Sequence, residues 1–301
     1  MVTPQQYLTT KQTVDDRALN RRVFEQFRNE LLDIESTDVS AEVSILEAGV
    51  GTGTMIPRMV SWEAFGETVT YRGVDREPES IASARQYVPG ALRELGYEVT
   101  VDDRIRARRD GQTLHISLEV GDVFELTGEF DAIVASAFLD LIELPGDLAS
   151  LLALLEPDGI LYAPITFDGT TGFVPTHPLD GPIVDSYHHH MRAVRSQPGT
   201  PIAGRQVLEA IPALGAQILA VGGSDWVIRP HEAGYPHDER IVLEHLLDTI
   251  VEAVREVIAS RVESVDRRRL ATWERERYRQ LKRGLLTLLA HNLDILVGTQ
   301  R

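Results

Sequence analysis

The sequence predicts an α/β protein: a doubly wound, mostly parallel sheet with helices on both faces and a helical cap. Three observations predict it. Between residues 43 and 165, short β-rich runs alternate with helical ones, the pattern of repeated βαβ units. The runs are continuous and apolar, as parallel strands buried on both faces are. The first run also enters a loop with glycine at every second position, Gly49, Gly51 and Gly53, which places a permissive turn at a strand's carboxyl end.

Taken in order, apolar residues at helical spacing (Leu19, Val23, Phe27, Leu31) predict one helix over 14–34, with Asp15 and Asp16 at its start. The predicted strands are VSILEA (43–48), TVTYRGVD (68–75), HISLEVG (115–121), FDAIVASA (130–137) and GILYAPITF (159–167). Helices fall at 78–96 and 145–156, and 99–120 reads as a hairpin turning at Asp110-Gly111. After Phe167 the texture is loop-rich up to Pro201, and a short helix covers 203–213. The segment 216–229 reads as a strand pair or one long strand. An amphipathic helix over 241–260 carries Leu243, Leu247, Ile250, Val254 and Val257 on one face. A charged helix spans about 265–283 and a last strand 288–298. The expected organisation is an N-terminal helical cap (1–35), a binding core (36–165), and a lid with the remaining strands and a C-terminal helical cap (166–301). All three are expected to pack as a single domain.

Composition narrows the function. The chain has 301 residues, 43% hydrophobic and 25% charged, with no cysteine, so disulfide and thiolate chemistry are excluded. The net charge of -16 repels nucleic acid backbones and anionic membranes, and neither is expected as a partner. The opening residues, MVTPQQYLTTKQ, hold no apolar signal region. No run of about 18 apolar residues follows, so a cytoplasmic protein is expected, as a monomer or homodimer.

A glycine loop between a strand and a helix lets a ligand approach backbone N–H groups closely. It is also found in α/β domains that bind nothing. Dinucleotide folds use G-x-G-x-x-G, and from Gly49 that pattern needs glycine where Thr54 stands, which disfavours a nicotinamide-dependent reductase. The stretch ILEAGVGTG instead resembles the glycine-rich motif of the class I S-adenosylmethionine-dependent methyltransferase superfamily, whose fold is Rossmann-like. The resemblance implies S-adenosylmethionine as cofactor, with Glu47 towards its ammonium and Gly49, Gly51 and Gly53 cradling its amino-acid part. It extends along the chain in order. Asp75, followed by Arg76, ends the second strand where the family binds the ribose; a helix cap is the other reading. Asp122 and Val123 follow the third strand where the adenine binds; a turn aspartate is the other reading. Ser136, Ala137 and Phe138 leave the fourth strand beside the methyl-transfer site, and LLALLEPDGILYA resembles the entry to the fifth.

The acceptor side is less legible. No Asn/Asp-Pro-Pro-Tyr signature follows the fourth strand, since ASAFLDL has no proline. With the acidic balance, that points to a small-molecule methyl acceptor. The segment 166–192 is the expected acceptor lid, with His190, Asp180 and Tyr187 as its candidate catalytic residues and His188 as a second candidate base. Asp185, His188 and His189 share a helical face, but no metal site is expected. Trp226 and Trp273 are expected either to wall the acceptor pocket or to anchor helix to sheet. Tyr7, Arg17 and Arg22 are expected to close over the cofactor or to sit on the surface. A non-catalytic S-adenosylmethionine-binding sensor or assembly protein is the alternative function.

Overall fold

In the first strand side chains alternate between two cores. Val43 and Ile45 enter one, Leu46 and Ala48 the other, and all four are buried. A strand covered on both faces belongs in the middle of a parallel sheet, and that is its place. The computed structural model describes residues 4–37, 42–196, 198–260 and 265–299.

In chain order the elements are α1 (Pro4–Thr10), α2 (Gln12–Ala18), α3 (Arg21–Thr37), β1 (Glu42–Ala48), α4 (Met55–Ser61), β2 (Thr68–Asp75), α5 (Pro78–Glu94), β3 (Glu98–Val101), β4 (Ile105–Arg109), β5 (Gln112–Val120), β6 (Phe130–Val134), α6 (Gly146–Leu152), β7 (Leu155–Val174), α7 (Asp180–His189), α8 (Ala203–Ala213), β8 (Ala216–Gly223), β9 (Trp226–Ile228), α9 (Glu239–Ala259), α10 (Arg267–Lys282) and β10 (Thr287–Thr299).

The strands form one sheet in the order β3-β4-β5-β2-β1-β6-β7-β10-β8, with β9 also on β10. β5, β2, β1, β6 and β7 are mutually parallel. The chain crosses from β1 outward to β2 and later back to β6, so the switch point lies between β1 and β6. Open α/β sheets bind ligands at that crevice, outside the carboxyl ends of the strands. Helices α3, α4 and α5 cover one face through Phe27, Ile56 and Val88. Helices α6 and α8 cover the other through Leu151 and Val207. The doubly wound, mostly parallel, Rossmann-like architecture is as the sequence predicts.

Four details differ from the sequence reading. The helix expected over 14–34 is two helices. Leu19 leaves helical geometry (ψ 129°), and Asn20 Oδ1 accepts a hydrogen bond from Val23 N–H at 3.3 Å, restarting the chain as α3. The hairpin at 99–120 does turn at Asp110-Gly111, both at positive φ, but a further turn folds β3 back onto β4. The two strands therefore extend one edge of the sheet. β8 and β9 follow one another along the same side of β10. The largest difference is β7. The sequence predicts loop after Phe167, whereas the strand runs on to Val174, paired with β10 from Thr287 to Gly298. Gly169 and Gly172 read locally as turn residues. Gly172 pairs with Leu289, more than 100 residues away, and is held extended, while Gly169, at φ 85°, lies in the irregularity where the ladder skips from Phe167 to Thr171. The β7–β10 ribbon carries α7, α9 and α10 on a separate core that includes Phe173, Ile183, Leu247, Trp273 and Leu288.

Candidate functional site

The glycine loop leaves β1 at the switch point. All three glycines have positive φ: 69° at Gly49, 54° at Gly51 and 76° at Gly53. Two are also sterically required. A Cβ on Gly49 would stand 2.6 Å from the Phe138 ring, and one on Gly53 would stand 2.6 Å from Val88. Gly51 is different: its Cβ would meet only Leu8 of α1, at 3.4 Å. The loop's middle therefore faces a cradle roofed by the N-terminal helices.

Glu47, next to last in β1, is 2% exposed and accepts a hydrogen bond from Tyr71 Oη at 2.7 Å. Burial pushes its carboxyl up to about 8, against the opposing pull of the Tyr71 hydrogen bond and of Arg58. At neutral pH it is therefore protonated unless a cation joins it. Arg58, one turn into α4, is 4% exposed. Its Nε donates to Asp16 of α2 at 2.6 Å and its Nη1 meets Met55 Sδ at 3.3 Å. Two buried polar atoms in this neighbourhood have no hydrogen-bond partner among the described residues: Arg58 Nη2 and Thr52 Oγ1. Such atoms are rare in a folded interior and mark a place where a ligand or water belongs.

The carboxylates at the strand ends form a rim. Asp75 accepts from Gly51 N–H and from Glu77 N–H, both at 2.9 Å, so it ties the glycine loop to the start of α5. Asp122 accepts from Phe124 N–H at 3.0 Å, beside buried Val123, and pairs with exposed Arg76 at 3.2 Å. Asp122 does the work of the turn reading, whereas Asp75 holds the loop and Glu77 N–H without capping α5 itself, whose N-cap is Glu77. Both stay partly accessible for a ligand. Ser136 and Ala137 lie at the exit of β6. Ala137 has φ 49°, and Ile165, across from it in β7, has φ 56°. Left-handed backbone at a branched residue is strained, and such strain gathers at functional sites. Asp294, fully buried in β10, holds the Ile165 N–H at 2.8 Å and the Asn20 N–H at 2.7 Å.

The three residues expected to be catalytic do not meet. Asp180 accepts from His177 N–H at 2.7 Å and from Trp273 Nε1 at 2.8 Å, and pairs with buried Arg277. It thereby anchors α7 to α10. His190 follows the other end of α7 and bonds Glu256 of α9 at 2.8 Å. Ten residues of helix separate it from Asp180, about 15 Å of rise, too far for both to serve one reacting atom. Tyr187 alone approaches the exit of β6, packing with Ala137 against one core within the field of Asp140. His188 is buried, with its Nε2 unpartnered and its imidazole pulled down by burial. Asp185, His188 and His189 form no metal-holding group with one another or with other described residues. Of the other aromatic and basic candidates, Trp273 and Trp226 are packed into the ribbon's core. Arg17 pairs with buried Glu239, and Arg22 donates to the Val221 carbonyl at 2.6 Å.

The structure adds groups that the sequence reading passes over. Lys11 pairs with Asp15 at 2.7 Å and lies 5.6 Å from the Trp226 ring centre. Asp140, in a short turn after β6, is pushed up to about 6 by burial, with Arg195 and Lys11 opposing the shift. Asp140 is visible in ASAFLDL as an acid just past the strand, the one local signal available.

No protein-family model and no curated protein sequence matches the chain. Among solved structures it is similar to a candidate methyltransferase from Bacillus halodurans (11% identity, TM-score 0.48, covering 91% of this chain and 99% of that one). It is also similar to a cyclopropane synthase from Mycobacterium tuberculosis (13%, 0.42, 86% and 78%). A third is a geranyl diphosphate C-methyltransferase from Streptomyces coelicolor, solved with its diphosphate and S-adenosyl-L-homocysteine (13%, 0.41, 91% and 76%). Among the described residues no helix is long and apolar enough to cross a membrane.

Proposed function

We propose that the chain is an S-adenosylmethionine-dependent methyltransferase acting on a small molecule. The observation that carries this reading is the set of buried, unpartnered polar atoms around a glycine cradle at the sheet's switch point. These groups fit the cofactor's amino-acid end. Glu47 takes the ammonium, which restores its charge. Arg58 Nη2 takes the carboxylate, and the loop backbone from Gly49 to Gly53 lies along both. Asp75 receives the ribose hydroxyls, while Asp122 and Val123 receive the adenine. Ser136 and Ala137 line the reacting end. When bound, S-adenosylmethionine supplies an electrophilic methyl group on a sulfonium. The protein's task is then to hold a nucleophile in line with it and keep water out. The strained exit of β6 and the roof of α1 and α2 suit both tasks.

The test is transfer of a radiolabelled methyl group from S-adenosylmethionine to a panel of amines, phenols, carboxylic acids and thiols. Label appearing in one class supports the enzyme. Tight S-adenosylhomocysteine binding with no transfer to any class supports the sensor instead.

A further inference from the structure

Asp140 stands three residues past Ala137, where β6 opens onto the switch point. Among the described residues its carboxylate forms no ion pair, although two cations are near. Lys11 is bonded to Asp15 at 2.7 Å. Arg195 donates to the Pro198 carbonyl at 2.5 Å and to the Asp140 backbone carbonyl at 3.4 Å. Tyr7 of α1, Tyr187 of α7 and Ala137 at the exit of β6 pack against one core, and the Asp140 charge acts on both rings. His245 of α9 stacks on Tyr7 with ring centres 4.2 Å apart. Tyr7, Asp140 and Tyr187 are each only half-buried, so they border a crevice between α1, α7 and the exit of β6 that a ligand can reach. A second observation is independent of that carboxylate: Asp15 Oδ1, beside Tyr7, is buried and unpartnered.

An unpaired carboxylate near tyrosine rings attracts a cation, because charge and ring faces both favour it. The net charge of -16 draws cations to the surface in the same sense. Resting on the methyltransferase reading, we propose that this crevice is the acceptor site and that it takes a basic amine, with Asp140 pairing with the ammonium and accepting its proton. The proton passes from the ammonium nitrogen to a carboxylate oxygen of Asp140. The nitrogen keeps the electron pair and becomes the neutral nucleophile. Its enclosed position makes Asp140 a better base than a surface aspartate. Burial raises its titration and Arg195 and Lys11 oppose that shift; Tyr7, Tyr187, Asp15 and His245 are the other titratable groups on the elements around it.

Benzyltrimethylammonium, which accepts no methyl group, serves as the probe. It is titrated calorimetrically into the full chain with and without S-adenosylhomocysteine, against benzoate and benzyl alcohol. Benzyltrimethylammonium is expected to bind in preference to both controls. Asp140→Asn is expected to weaken it about tenfold, as loss of a partly enclosed charge pair does, while Asp140→Glu retains most of the affinity. Preference for benzoate or benzyl alcohol in the wild type overturns the amine assignment without recourse to a variant. So does an Asp140→Asn affinity within twofold of wild type. Cation binding that depends on Asp140, with no S-adenosylhomocysteine binding, overturns the methyltransferase reading and leaves the cation site standing.

Discussion

Glu47 sits in the sheet as a carboxyl that the folded protein prefers neutral. Its folded value of about 8 lies above its unfolded value near 4.5. Between those limits the folded state holds a proton that the unfolded state has lost. Stability is therefore full below about pH 4.5 and falls as pH rises towards 8, by roughly 1.4 kcal/mol per unit. Glu47→Gln should abolish this slope, so that the unliganded variant outlasts the wild type at pH 8 in thermal denaturation. A slope unchanged by the substitution would place the titrating group elsewhere. Gly51 is the second residue-scale case. An L-residue at φ 54° costs about 1–2 kcal/mol, and a Cβ there makes only ordinary contact with Leu8. Gly51→Ala should thus fold with a modest loss of thermal stability yet bind S-adenosylhomocysteine poorly, because the methyl stands in the cradle. Gly53→Ala should lose more stability, since its Cβ overlaps Val88. Normal product binding by Gly51→Ala would move the cofactor away from this loop.

At the scale of elements, α7 is fixed at its start, and its proposed acceptor-site residue, Tyr187, lies towards its end. Arg277 is fully buried and is held by Asp180, the Pro175 carbonyl and Gln280. Asp180→Ala leaves that guanidinium without its counter-ion, a change that costs about 3–5 kcal/mol in comparable buried pairs. Seven residues of helix, about 10 Å, separate Asp180 from Tyr187. The expected result is a large drop in melting temperature with S-adenosylhomocysteine affinity within a few fold of wild type. Loss of methyl transfer at unchanged stability would instead return Asp180 to the chemistry.

Across the whole molecule, legibility in the sequence follows how local the cause is. The central strands are readable because burial on both faces leaves an unbroken apolar run, as in Ile45–Leu46 and Ala132–Val134. The glycine loop is readable because positive φ demands a particular residue. The outer half of β7 is not, because its partner β10 lies more than 100 residues on and its own glycines argue for a turn. The break at Leu19–Asn20 is hidden because the apolar phase continues across it. Arg58 carries no local signal of its place; only the packing of α2 against α4 buries it. The proposed acceptor crevice draws on residues 7–15, 140, 187–195 and 245, and no stretch of sequence holds more than a fragment of it.

The central claim is that this loop binds S-adenosylmethionine through Glu47. Titration calorimetry with S-adenosylhomocysteine at pH 7, in two buffers of different ionisation enthalpy, tests it most directly. Glu47 is neutral in the free protein and charged beside the ligand's ammonium, so binding should release about one proton from that carboxyl. Glu47→Gln should bind more weakly and release none, and NAD should not bind. Binding of NAD in preference to S-adenosylhomocysteine, or product binding with the same proton release in Glu47→Gln, would contradict the account.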